Sequence, residues 1–232
     1  MTLATSEANG GKIPLRLMPL GGSITYGLGS TDGNGYRKTL QDLLAGQGYS
    51  VEMVGSRKCG SMVNNANEGW PGRRIDQIHA RATRATAKFL PNIFTVNAGS
   101  NDCIQDFGID SAGARIDAML EELWAVGVPD ATVILSTLVV AADATVNGRV
   151  LRVNEQIREL VERKRLSEGK RVVLADMYSS AGGPDAAELV DDGVHPNDEG
   201  YIKMAKIWAQ SIEEAAGQGM LEVARVYSTL TM

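Results

Sequence analysis

Histidine and cysteine are scarce in this chain, with two of each among 232 residues. Cys59 and Cys103 are too few for a disulfide scaffold or a structural zinc site. They read as free thiols; the alternative is a single disulfide, because both follow predicted strand ends that should be neighbours. A basic surplus is lacking too: 23 Lys and Arg against 28 Asp and Glu leave a net charge of −5. That balance gives no electrostatic footprint for nucleic acid or for an anionic membrane surface, so neither is an expected partner. No window is apolar enough to span a bilayer. Residues 1–14 lack the charged start and apolar run of a secretory leader. As written, the expected location is cytoplasmic, or secreted if a leader has been removed. Repeats, low-complexity tracts and Pro/Ser-rich linkers are missing, so one domain is expected at residues 13–217. Before it stands a flexible segment, residues 1–12. After it comes a C-terminal extension, residues 218–232, whose Leu221, Val223, Val226, Tyr227 and Leu230 should pack on the domain or on a partner subunit in a homo-oligomer.

What is present is an alternation of strand-length apolar runs with helix-length amphipathic segments. This is the pattern of an α/β fold in three layers, with a parallel sheet covered on both faces. Strands are predicted at Pro14–Leu20, Val51–Val54, Ile93–Asn97, Val133–Val139 and Val172–Ala175, giving a flavodoxin-like five-stranded sheet. Helices are predicted at Arg37–Ala45, Arg74–Leu90, Ala112–Val126, Leu151–Ser167 and Asp198–Ala216. In the second of these, Ile75, Ile78, Ala82 and Ala85 recur at three- and four-residue spacing, as a helix with one buried stripe requires.

Ligands of open α/β sheets bind beyond the carboxyl ends of the strands. The first strand runs into Gly21-Gly22-Ser23, where paired glycines permit a tight turn that presents a hydroxyl. The second leads to Glu68-Gly69-Trp70-Pro71-Gly72, the third to Gly99-Ser100-Asn101-Asp102, and the fifth to Asp192-Gly193-Val194-His195-Pro196. A serine hydroxyl becomes a useful nucleophile when an imidazole takes its proton and a carboxylate fixes that imidazole. His79 lies inside an arginine-rich amphipathic helix, which suits packing. His195, three residues after Asp192, is the candidate base.

The blocks Gly21-Gly22-Ser23-Ile24-Thr25, Gly72, Gly99-Ser100-Asn101-Asp102 and Asp192-Gly193-Val194-His195-Pro196, in this order, resemble those of the SGNH (GDSL) hydrolases. The resemblance spans about Leu17 to Ala209. Gly35-Tyr36-Arg37, Val54-Gly55-Ser56 and Glu68-Gly69-Trp70-Pro71-Gly72 look, more narrowly, like acetyl esterases of carbohydrate esterase family 3. The resemblance implies the SGNH hydrolase fold, Ser23 as nucleophile, His195 as base and Asp192 as its orienting acid. It also implies an oxyanion hole of the Ser23 N–H, the Gly72 N–H and the Asn101 side-chain amide, with Gly55 as the alternative to Gly72. It implies neither metal nor organic cofactor. The chain departs from the family at Gly22, where Asp usually precedes the serine, at Ser100, where Gly or Thr is frequent, and at Trp70, where the esterases often have His.

Two classes compete: a phosphate-binding flavodoxin-like protein, and a non-catalytic binding module of the same fold, in which the acid-base pair would have no reason to accompany the serine. Leu28 stands where a P-loop needs lysine, and no G-x-G-x-x-G follows the first strand. Among esters, the expected substrates carry short acyl groups, with acetylated carbohydrate foremost. The alternative is a lipid-directed esterase, lysophospholipase or thioesterase using the same three residues. Trp70 is read as a sugar-stacking platform or as loop packing, Asp102 as a loop tie and Arg37 as a structural hydrogen-bond donor.

Overall fold

A computed structural model describes residues 12–223. Apolar residues alternate sides along the strands and so divide the interior into two cores, one on each face of a single sheet. Met18 and Leu20 of β1 (Leu15–Gly21), Phe94 and Val96 of β5 (Ile93–Asn97), and Val133 and Leu135 of β6 (Thr132–Ser136) face one core. It is closed by α3 (Ile75–Phe89), α5 (Ala112–Val126) and α6 (Ala144–Leu166). Leu17, Ile93, Ile134 and Val173 of β7 (Val172–Ala175) face the other, beneath α2 (Arg37–Gly46) and α7 (Asp198–Gly217). Tyr36 and Trp208 join α2 to α7 there, with ring centroids 5.7 Å apart. Each Leu, Ile, Val or Phe side chain taken fully out of water in these cores contributes about 1.5–3 kcal/mol.

The sheet holds two short strands beyond the five expected, β3 (Arg57–Lys58) and β4 (Ala66–Gly69). β1 carries β5 along one edge; its other edge is shared by β2 (Val51–Met53) at the start and β4 at the end. All pairings are parallel except β3 with β4. The purely parallel five-stranded expectation is corrected to this extent. The predicted strand over Val133–Val139 ends at Ser136, because the Asn154 side chain takes both backbone groups of Leu138, accepting from N at 2.7 Å and donating to O at 3.0 Å. The helix expected from Leu151 starts two turns earlier, where the Asp143 side chain caps it by accepting from Val146 N at 2.8 Å.

At the end of the sheet opposite the strand mouths, the chain after α7 folds back. Thr132 Oγ1 donates to Met220 O at 2.7 Å, Asn92 Nδ2 donates to Glu222 O at 2.6 Å, and Met220 and Leu221 lie against the second core. The remainder of the predicted extension, residues 224–232, and most of the predicted flexible segment, residues 1–11, lie outside the described residues. No described helix is long and apolar enough to cross a membrane.

Cys59 and Cys103 are both free. Burial pushes the Cys103 thiol up to about 12. Iodoacetamide at mildly alkaline pH should therefore leave Cys103 unmodified in the folded protein and reach it only on unfolding. Peptide mass spectrometry reads this directly; rapid labelling of Cys103 under native conditions would contradict its burial.

Candidate active site

Ser23 opens a one-turn helix, α1 (Ser23–Tyr26), directly after β1. Two glycines make that sharp exit sterically feasible. A Cβ on Gly21 would stand 2.1 Å from Asn97 O, and one on Gly69 would stand 2.4 Å from Tyr26 N. β1, β4 and β5 therefore close tightly around the base of α1, and Ser23 is left at the strand mouths. The loop after α1 is then fastened to α7. Thr31 donates to Asp198 through N at 2.9 Å and through Oγ1 at 2.8 Å, and the Tyr201 hydroxyl donates to Leu28 O. Arg37 is wholly buried and donates to the carbonyls of Tyr26, Gly33, Cys59 and Asn65 at 3.0–3.1 Å, clamping two loops below the site.

The segment before α7 is a closed turn. Val190 N donates to His195 O at 2.9 Å and Gly193 N donates to Val190 O at 2.9 Å, with Gly193 at a φ of 69°. Asp192 Oδ1 accepts from the backbone N–H groups of Val194 and His195, each at 2.9 Å, while its Oδ2 stands 2.6 Å from His195 Nδ1. His195 Nε2 is 2.7 Å from Ser23 Oγ. One turn and one strand exit, 172 positions apart in sequence, thus place hydroxyl, imidazole and carboxylate in a continuous chain of hydrogen bonds. Burial alone would raise the Asp192 carboxyl, but the backbone and side-chain hydrogen bonds of His195 and the Val194 N–H outweigh it. The carboxyl lies below its ordinary range. It is an anion at neutral pH, and a neutral imidazole bonded to it at Nδ1 leaves Nε2 free to accept a proton from the serine.

A small pocket opens beside Ser23. Its wall includes Gly22, Asn97, Gly99, Asn101 and Arg73. A Cβ on Gly22 would lie 3.3 Å from Asn101 Nδ2, so that amide sits beside the nucleophile turn. Where the family commonly has Asp, the glycine leaves it uncrowded. Asn101 is positioned by its neighbour. The buried Asp102 accepts from Ile75 N at 3.0 Å and from Arg115 Nη1 at 2.6 Å, tying α4 (Ser100–Gln105) to the start of α3. Asn97 Nδ2 donates to Ser136 Oγ at 2.8 Å, holding the adjacent strand ends together.

Gly72 sits at the rim, next to Arg73 rather than in the pocket wall, with a left-handed φ of 73°. Gly55 is used otherwise: a Cβ there would meet Asn67 O at 2.2 Å, so its role is the close crossing of two backbones. His79 lies within α3 and is not part of the pocket. Trp70 is engaged by its neighbours. Its Nε1 donates to Glu68 at 2.8 Å, and the guanidinium groups of Arg57 and Arg81 lie 4.5 and 4.7 Å from its ring centroid. That arrangement suits loop packing better than a free sugar platform. Arg73, which stands just outside the sequence motifs, is the one cation in the pocket wall among the described residues.

Residues 20–202 match the model of the GDSL-like lipase/acylhydrolase family. The chain belongs to this family. It is accordingly an ester hydrolase by class. It is 29% identical over 227 residues to a multidomain esterase of Ruminococcus flavefaciens, covering 86% of this chain but 28% of that protein's length. Among solved structures it resembles a family 3 carbohydrate esterase of Clostridium thermocellum with a TM-score of 0.76 and 24% identity, over 88% of this chain and 98% of that one. A family 3 carbohydrate esterase of Talaromyces cellulolyticus gives 0.74 and 26%, over 88% and 99%. In an open α/β sheet the strand mouths described above are the natural place to seek the chemistry.

Proposed function

We propose that the chain hydrolyses esters of short carboxylic acids at Ser23, with acetylated carbohydrate as the substrate. The observation that carries this reading is the hydrogen-bond chain from Ser23 Oγ through His195 to Asp192, at 2.7 and 2.6 Å. Ser23 Oγ attacks the ester carbonyl carbon as its proton passes to His195 Nε2, and the carbonyl oxygen becomes an oxyanion. The Ser23 N–H and Asn101 Nδ2 flank that oxygen, and the family resemblance assigns a third donor to the Gly72 N–H. As the tetrahedral centre collapses, His195 returns the proton to the departing alcohol. Water then repeats the sequence on the acyl-serine, releasing the acid and restoring the hydroxyl. Asp192 holds the imidazole tautomer and balances the charge of the imidazolium.

The acetyl preference is supported by the small pocket beside Ser23 and Asn101 and by the likeness to two family 3 carbohydrate esterases. A second reading also has an observation behind it. Ile104, Val139, Val140, Val146, Val150 and Val194 line an apolar pocket across Ser100 from the first, next in chain to His195, and a longer acyl chain could lie there. A series of p-nitrophenyl esters separates the two. With an acetyl site, kcat/KM falls about tenfold or more from acetate to butyrate, because each surplus methylene costs roughly 1–3 kcal/mol of overpacking. Release of acetate from acetylated xylo-oligosaccharides should accompany it. A rate that climbs towards octanoate would replace the carbohydrate reading with the lipid-directed one.

A further inference from the structure

Among the described residues most cations are neutralised by ion pairs, and most of those that are not gather on one edge. Among the described residues, Lys12, Lys38, Lys164, Lys170 and Lys203 each pair with a carboxylate, as do eight arginines on β1, α5, α6 and β7 or next to them. The unpaired ones include Arg57 and Lys58 on β3, Arg73 and Arg74 before α3, and Arg81, Arg84 and Lys88 within it. Elsewhere only buried Arg37 and Lys206 lack an ion pair among the described residues. An acidic protein therefore presents a positive edge on the side of the site formed by β3, β4 and α3.

Three of these groups have other work. Arg57 and Arg81 lie on the Trp70 ring, Arg74 lies over Phe107 and donates to Gln105 at 3.1 Å, and Arg81 donates to Gln77 O at 2.7 Å. The nearby carboxylates are also engaged. Glu68 accepts from Ser56 and Trp70, while Asp76 stands 3.5 Å from Arg115. Lys58 and Arg84 are exposed and unengaged, as Arg73 is, but Arg73 alone of the three forms part of the pocket wall with Ser23 and Asn101, and its guanidinium has no ion pair, hydrogen bond or ring partner among the described residues. An unengaged guanidinium at the mouth of an ester site is a fork for an anion on the substrate. The pocket itself is narrow, with only about 10 Å³ open to the centre of a water molecule, far below the roughly 300 Å³ at which drug-sized ligand sites begin. A charged group beside an acyl group must then remain outside, on the alcohol half.

We propose that Arg73 makes the site selective for esters whose alcohol half carries a carboxylate beside the ester carbon, as in an acetylated uronic acid. This rests on the ester-hydrolysis reading above. The contact is remote from the reacting carbonyl and forms equally in ground and transition states, so it lowers KM and leaves kcat much the same.

Three methyl glycosides test it: a 4-O-acetyl glucuronide, the matching 4-O-acetyl glucoside and its 6-phosphate. At low ionic strength the glucuronide should have a KM about fivefold below that of the neutral glucoside, and high salt should shrink the difference. Arg73→Gln should bring the two KM values together, Arg73→Lys should restore part of the gap, and Lys206→Gln should leave the gap intact. Equal KM values in the unaltered enzyme, or a gap that persists in Arg73→Gln, would overturn the proposal. A phosphate preferred over the carboxylate would overturn the assignment of the anion. If p-nitrophenyl acetate is hydrolysed but the sugar esters show no charge preference, the Arg73 inference alone fails; if neither is hydrolysed, the ester reading fails with it.

Discussion

Ser23→Ala is expected to lower kcat for p-nitrophenyl acetate by roughly four to six orders of magnitude while leaving the fold intact. The size follows from the role proposed for Oγ. It forms the covalent bond and supplies the proton that His195 removes, so alanine abolishes the route rather than weakening it. What survives is water attack assisted by the Asn101 amide and the backbone N–H groups. Ser23 is only partly buried and its hydroxyl's described partner is His195, so the thermal midpoint should hardly move. Circular dichroism melting beside steady-state kinetics checks both halves. A variant that keeps more than a hundredth of the activity would remove Ser23 from the mechanism.

His195→Ala should cost nearly as much, and the double variant Ser23→Ala/His195→Ala little more than either alone. Groups that act as one unit are not additive: once the hydroxyl cannot be deprotonated, losing it as well changes little. Asp192→Ala should be milder, since the imidazole still accepts a proton without its orienter, and the half-exposed Asp192 lets water replace part of the carboxylate's role. The pH profile carries a further expectation. Because Asp192 lies below the ordinary carboxylate range, it stays ionised across the neutral and mildly acidic range. The acid limb of kcat/KM should therefore show a single ionisation, with activity rising as the imidazole loses its proton. His79→Ala should leave the limb unchanged. Two ionisations on the acid limb, or its loss with His79→Ala, would show that the turn before α7 has another task.

The parts that sequence made legible are those whose signal is local. Five strands of Val, Ile and Leu stand out from polar surroundings, and the predicted range Ala112–Val126 for α5 coincides with the observed helix. β3 and β4 do not stand out. They are two and four residues long and consist of Arg, Lys, Ala, Asn, Glu and Gly; pairing with β1 and with each other makes them strands. The start of α6 was hidden for a similar reason, since Asn147 and Gly148 are poor helix formers and the Asp143 cap is what fixes the first turn.

At the site, Ser23, Asn101, Asp192 and His195 were legible because each stands in a short motif beyond a strand. Arg73 was not, even though it adjoins one of those motifs. Its significance depends on which carboxylates occupy the other arginines, and those partners are dispersed along the chain. Arg115 meets Asp102, Arg149 meets Asp106 and Arg163 meets Asp117, pairings that no spacing rule relates to position 73. The same applies to Gly22, whose closeness to Asn101 Nδ2 emerges only when β1 and β5 lie side by side.

Covalent trapping distinguishes Ser23 from every other serine of the chain. A fluorophosphonate added to the intact enzyme reacts with an activated serine through displacement of fluoride, and peptide mass spectrometry identifies the residue that carries the adduct. If Ser23 is the nucleophile, one modified peptide is expected, bearing the phosphonyl group on Ser23, with activity lost in proportion to labelling and with no labelling in His195→Ala over the same interval. Stoichiometric modification of a different serine, with Ser23 untouched and activity lost, would contradict it.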